Sequence, residues 1–171
     1  MIGFADAGYS SDLHKARSQS GYLFTYGDTA ISWRCSRKQT IVATSSNHAE
    51  ILALHEASRE CVWLRSMVHH IKETCRLSFD HGSPTILYED NTTCIAQVKR
   101  RYIKGDRTKH ISPKFFFKHE LQKKGDIDVQ QIPSSDNLAD LFTKALPTST
   151  FEKLIHKIGM RRLKDLLLVS E

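Results

Sequence analysis

Apolar and polar positions alternate along the first part of the chain, and the period turns helical near residue 47. Ile2 and Phe4 alternate with small residues up to Asp6, which predicts a first strand. Residues 21–26 predict a second strand, the pair Gly27-Asp28 a turn, and residues 30–34 a third strand. So short a link joins antiparallel neighbours as a hairpin. Residues 40–44 read as an extension of that strand or as another. From about 47 to about 71, Leu54, Ala57, Cys61, Leu64 and Val68 recur at helical spacing. His81-Gly82-Ser83-Pro84 breaks the pattern. Residues 85–89 predict a strand around Ile86, Leu87 and Tyr88, and residues 91–98 a short helix. A helix with aromatic residues is expected over 114–123, a strand over 127–132 and a short helix over 137–145.

Three strands, then helix, strand, helix, helix, strand and helix make a mixed α/β sheet with helices packed on it. The expected organisation is one domain over 1–146 and an amphipathic helical tail over 147–171. Ser149-x-x-Glu152 matches a capping box, and Phe151, Leu154, Ile155 and Ile158 form a stripe. That stripe must be buried on the domain or on a partner.

The 171 residues suffice for one domain with a real core, and 40% hydrophobic with 26% charged residues is ordinary globular composition. No apolar run is long enough to span a bilayer, and MIGFADAGYS has no secretory pattern, so no membrane or secretory role is expected. Cys35, Cys61, Cys75 and Cys94 form no C-x-x-C pair and read as reduced thiols of a cytosolic or nuclear protein. The net charge of +6 adds a hint of a polyanionic partner. Lys99, Arg100, Arg101, Lys104, Arg107, Lys109 and His110 crowd into one segment with Tyr102, and Arg34, Arg37 and Lys38 into another. A solvated loop explains such a cluster equally well.

The chemistry rests on acids. Metal-assisted phosphodiester cleavage needs carboxylates converging on one point, where hard oxygen ligands hold Mg²⁺. Asp6 shares strand parity with Ile2 and Phe4, so it continues an apolar face, although a strand-end turn before Gly8 also suits it. Asp90 shares parity with Ile86 and Tyr88 where that strand stops, although an acid opening a helix is also ordinary. Glu50 extends the buried stripe of the long helix, but spacing alone favours a capping box, Asn47-x-x-Glu50. Asp140 falls opposite Leu138, Leu141, Phe142 and Ala145 on an α-helical wheel, which predicts a solvated surface position.

In order along the chain stand GFADAGYS, RSQSGYLF, ISWRCSRKQTIVATSSNHAEILAL, YEDNTTCI, RTKHI and DNLADLFTKAL. With these motifs the chain resembles the ribonuclease H domain of copia-class retrotransposon polyproteins, from its start to about residue 146. The resemblance implies a ribonuclease H-like fold: a five-stranded mixed sheet with helices on both faces. It implies an endonuclease that hydrolyses the RNA strand of RNA/DNA hybrids by a two-metal-ion mechanism during reverse transcription. Asp6, Glu50, Asp90 and Asp140 become catalytic metal ligands for two Mg²⁺ ions, with Mn²⁺ as a substitute and Asp6 bridging. Asn91 is expected at the minor groove, and Arg100, Arg101, Lys104, Arg107 and His110 along the nucleic acid. The implied partners are the hybrid and the reverse transcriptase domain of the same polyprotein. The implied location is a cytoplasmic virus-like particle, or the nucleus. The alternative is a weak or inactive connector of the same fold that binds hybrid or the polymerase. One departure stands out: cellular ribonucleases H carry a catalytic His in a loop before the last helix, and Pro133-Ser134-Ser135-Asp136 has none.

Overall fold

The structure is a computed structural model that describes residues 1–12, 14–36, 39–77, 83–100 and 112–161. Its five strands are β1 (Ile2–Asp12), β2 (Arg17–Tyr26), β3 (Thr29–Ser36), β4 (Thr85–Glu89) and β5 (Ile127–Gln131). They lie side by side in the order β3-β2-β1-β4-β5. The β1–β2 and β2–β3 pairs are antiparallel, and β1–β4 and β4–β5 are parallel, so the sheet is mixed. The helices are α1 (Ser46–Thr74), α2 (Thr92–Arg100), α3 (Ser112–Lys124) and α4 (Thr148–Lys157). This is the expected α/β architecture, with helices on both faces.

Strand parity decides which face each residue serves. On one face Ala5, Tyr22, Phe24, Leu87, Ile127 and Val129 pack against Ile51, Leu54, Ala57, Cys61 and Leu64 of α1. Gly3 lies on this face, where a Cβ would stand 2.4 Å from Leu87 Cδ2 and 2.5 Å from Phe24 Cε1. The absent side chain lets neighbouring strands fill that space. On the other face Phe4 and Leu23 join Leu138, Ala139, Leu154 and Ile158. Thus α4, in the predicted tail, packs on its own sheet. The Ala30 amide donates to Ile158 O at 3.3 Å, which ties the helix end to β3.

Several local expectations are corrected. β1 continues to Asp12, so Asp6 is not a strand-end residue but lies opposite Gly21 of β2. Residues 40–44 are not a strand. Residues 137–145 do not form an α-helix; two short 3-10 turns, Ser134–Asp136 and Leu138–Phe142, take their place. The long helix is capped by Ser45, whose hydroxyl accepts from the His48 amide at 3.2 Å, and not by an Asn47–Glu50 box. Asn47 instead donates to Gln97 Oε1 at 2.9 Å. Helix α4 starts after Pro147 without a side-chain cap, so Ser149 does not serve as one. Proline suits that place because its fixed φ leads into a helix. Arg37, Lys38, His81, Gly82, Arg101, Tyr102, Lys104, Arg107, Lys109, His110, Leu163, Leu166 and Leu167 lie outside the described residues.

Leu154 is 1% exposed at the centre of the second core. Leu154→Ala should therefore destabilise the chain by about 2–5 kcal/mol, with no change in oligomeric state. Denaturant unfolding and sedimentation check both. A loss below about 0.5 kcal/mol, within the range of surface substitutions, would show that α4 is no brace of the fold.

Candidate active site

β1 and β4 run parallel, with Phe4 paired to Tyr88. Two residues further along each segment stand Asp6 and Asp90, so the pairing itself delivers two carboxylates to one edge of the sheet. Asp6 is 1% exposed. The 3-10 turn Leu138–Phe142 brings Asp140 against them from the second face. One oxygen each of Asp6, Asp90 and Asp140 lie within 4.8 Å of one another. A second group, Glu50, Glu89 and Asp90, meets the same limit on the α1 side. Asp90 is common to both, although Asp6 was the expected bridge.

Asp140 is 5% exposed, contrary to the α-helical wheel. A 3-10 turn advances three residues per turn, so Asp140 stacks with Thr143 and not opposite the apolar residues. The turn is seated by contacts that pattern reading did not find. Asn137 donates from Nδ2 to Ala5 O at 2.9 Å and accepts the Ala139 amide at 3.1 Å, both buried. Gln19 donates to Phe142 O. Gly21 makes room, because a Cβ there would lie 2.7 Å from Thr143 Cγ2 and 3.2 Å from Ala139 O. Thr143 then donates a short hydrogen bond from its hydroxyl to Asp6 Oδ2.

Three further residues of the site were missed. Glu89 ends β4 on the α1 face and is fully buried. Its Oε1 accepts the Asn91 amide at 3.1 Å. Lys118 is fully buried too, and donates to Ile51 O at 2.9 Å. Burial lowers its ammonium pKa to about 8, against the opposing pull of Cys94 and Glu89. Lys144 enters the acid cluster from the end of the 3-10 segment. Its Nζ lies 2.7 Å from Asp140 Oδ1, 3.1 Å from Asp6 Oδ1 and 3.7 Å from Asp90 Oδ2. The bond to Asp140 is a hydrogen bond, whereas the contact with Asp6 is an ion pair without hydrogen-bond alignment. Sequence held the signal for Glu89 only weakly, since parity puts it on the face of Leu87. Lys144 is four residues after Asp140, a helical spacing for an ion pair.

The electrostatics follow from crowding. Burial, then the charges of Glu89, Asp6 and Asp90, push the Glu50 carboxyl far above its usual range. Burial pushes Glu89 up likewise, against the Asn91 amide that favours its charged form. Burial raises Asp140 to about 6, although the bond from Lys144 pulls down. For Lys144 burial works against the charged form, but the bond to Asp140 and the charge of Asp6 outweigh it and raise its pKa. The Oε2 atoms of Glu50 and Glu89 are buried without a hydrogen-bond partner. Asp6 Oδ1 of the other group also lacks a hydrogen bond, and hard carboxylate oxygens left so in two adjoining groups fit divalent cations such as Mg²⁺.

Asn91 adjoins the cluster, and its side-chain oxygen accepts the Cys94 amide at 2.9 Å, capping α2. Lys99 is exposed near the end of α2, Arg100 ends that helix by its backbone, and the rest of the expected basic segment lies outside the described residues. The loop 133–136, which lacks a His, is tied down through Asp136. That carboxylate pairs with Lys153 at 3.0 Å and Lys157 at 2.7 Å of α4.

The sheet order and the carboxylates at its edge define a protein of the ribonuclease H-like fold. RNase H1 from Halobacterium salinarum superposes with a TM-score of 0.56 at 17% identity, over 82% of this chain and 92% of that one. LC11-RNase H1, solved in complex with an RNA/DNA hybrid, gives 0.53 at 16% identity, over 82% and 91%. In sequence the chain is 30% identical over 160 residues to the Pol polyprotein of transposon TNT 1-94 from Nicotiana tabacum, 94% of this chain and 11% of that polyprotein. It is 29% identical over 160 residues to that of transposon RE1 from Arabidopsis thaliana, 94% of this chain and 10% of that polyprotein. The chain thus spans about a tenth of the length of the curated relatives it matches. No family model matches. Sequence and fold together match the ribonuclease H domain of copia-class transposon Pol polyproteins.

The raised Asp140 carboxyl makes metal-free stability depend on pH. Between its ordinary 3.8 and about 6 the folded state holds a proton that the unfolded state has released, so stability falls as pH rises. His55, lowered to about 4 by burial and then by Lys118, acts oppositely over a similar window, so comparison with a variant is needed. Asp140→Asn should gain stability over wild type in EDTA, and the gain should grow between about pH 4 and 6. Thermal melts across that range check it. A gain that shrinks with pH would mean Lys144 holds Asp140 ionised throughout.

Proposed function

We propose that this chain is an endonuclease that hydrolyses the RNA strand of RNA/DNA hybrids, with divalent cations, during reverse transcription of a retrotransposon. The convergence of Asp6, Asp90 and Asp140 beside Glu50 and Glu89 carries the reading. Asp6, Asp90 and Asp140 would hold one cation, and Glu50 with Asp90 and Glu89 the other. Mg²⁺ is the natural ion for all-oxygen ligands, and Mn²⁺ suits the same set. Bound there, the cations supply Lewis acidity that stabilises charge on phosphate oxygens and makes a water more acidic.

The chain's own residues supply position and exclusion. Thr143 and Asn137 hold Asp6 and the 3-10 turn in place, so the acids keep their spacing when a substrate arrives. Asn91 stands next to Asp90 and is assigned to the minor groove, where 2′-hydroxyls distinguish RNA from DNA. Arg100, Arg101, Lys104, Arg107 and His110 would hold phosphates, chiefly of the DNA strand. The reverse transcriptase domain of the same polyprotein is the proposed partner, and a cytoplasmic particle or the nucleus the proposed place of action.

Asp6→Asn and Asp90→Asn should each abolish cleavage of a labelled hybrid in Mg²⁺ while the chain stays folded, because removing one charge from the crowded edge relieves repulsion. Duplex DNA should remain uncut by the wild type. A variant that cleaves at near wild-type rate removes that residue from the site, and a wild type that binds hybrid without cutting it makes the chain a connector.

Replacing Arg100, Arg101 and Lys104 with Ala should weaken hybrid binding and flatten its salt dependence by roughly one log-log unit per lost phosphate contact. An unchanged slope would make the cluster solvated surface.

A further inference from the structure

Lys144 holds a place that the cleavage chemistry does not call for. Its ammonium reaches three carboxylates, at 2.7 Å from Asp140, 3.1 Å from Asp6 and 3.7 Å from Asp90. Those three are also one of the two groups able to hold a cation. A lysine ammonium is a compact point charge on a flexible stem, so it substitutes for a metal ion electrostatically but not in coordination. The ammonium is not needed to hold the segment, since the neighbouring Thr143 hydroxyl already anchors it to Asp6.

We propose that Lys144 is the resident counter-ion of the metal-free site, competing with the divalent cation for Asp6, Asp90 and Asp140 and leaving when that cation binds. The inference rests on the metal-dependent reading of the site given above. Two features of the structure make the exchange feasible. The Lys144 side chain is 38% exposed, so its head can move toward solvent without opening the core. Its backbone is held independently, since its amide donates to Asp140 O at 3.1 Å. Among the described residues of the other group, Glu50, Glu89 and Asp90, the shared Asp90 is the one within ion-pair distance of Lys144, whose charge reaches Glu50 from further off. The competition is therefore directed at one of the two cation positions. It lets the acids stay together before metal and substrate arrive, and it holds down the affinity for the cation that joins last.

The test is Mg²⁺ titration of the full chain by calorimetry, with thermal melts in EDTA, for wild type, Lys144→Met and Lys144→Gln. Removing a unit charge about 3 Å from the carboxylates should tighten Mg²⁺ binding about tenfold even with water-like screening. The same variants should melt lower than wild type in EDTA and gain more from added Mg²⁺. Lys144→Gln keeps a hydrogen-bond donor on a shorter, uncharged side chain, so it answers if Lys144→Met does not fold. Lys153→Met, which removes a lysine from the Asp136 pair, is the charge control and should leave Mg²⁺ affinity unchanged. Unchanged or weaker Mg²⁺ binding in the Lys144 variants overturns the proposal while leaving the metal site intact. No Mg²⁺ binding by any of the proteins, wild type included, sinks the metal-dependent reading itself, and the role of Lys144 with it.

Discussion

Like charge gathered in a buried place is the constraint on which the rest of this structure turns. Asp6, Glu50, Glu89, Asp90 and Asp140 share one edge of the sheet, and all but Asp90 are buried. Each carboxylate brought there loses water and faces the others, so the arrangement opposes folding unless something offsets it. Three offsets are visible. Lys144 places a positive charge among three of the acids. The Thr143 hydroxyl and the Asn91 amide donate to Asp6 and Glu89. Protons do the remainder, since burial raises Glu50, Glu89 and Asp140 and leaves them partly neutral in the absence of a cation.

The fold holds this edge together because each acid is fastened to something apolar a residue or two away. Asp6 follows Phe4 and Ala5, which face opposite cores on the two sides of β1. Glu50 precedes Ile51 in the core under α1, and Asp140 follows Leu138 and Ala139 in the core under α4. Moving an acid away from the cluster would therefore expose buried hydrocarbon. The second core matters as well, because Leu154 and Ile158 of the tail pack in one cluster with Leu138 and Ala139 of the 3-10 turn.

The absence of a His in the loop before the 3-10 turn has a structural counterpart. In cellular ribonucleases H that loop is flexible, whereas here Asp136 binds Lys153 and Lys157 and ties the loop to α4. The cation nearest the reacting position among the described residues is instead Lys144, which approaches from the other end of the same segment.

The sequence alone determined the order of the five strands and the main helices, the mixed sheet, and four of the five clustered acids. Alternation of period two and recurrence of period 3.6 are local, so Ile2, Phe4 and Asp6, or Leu54, Ala57 and Cys61, show their faces without any knowledge of partners. The motif order carried Glu50 and Asp140 into the candidate site even where spacing pointed to a cap and to solvent. Only tertiary structure decided why those two belong. Ser45 takes the capping role, which frees Glu50, and a 3-10 advance instead of an α-helical one turns Asp140 inward. Glu89 and Lys144 left only faint local signals, and Lys118, Asn137 and Lys144 act through partners far along the chain, Ile51 at 67, Ala5 at 132 and Asp6 at 138 positions' distance. Periodicity records which side of an element is apolar; it holds no record of which distant charge will be waiting there.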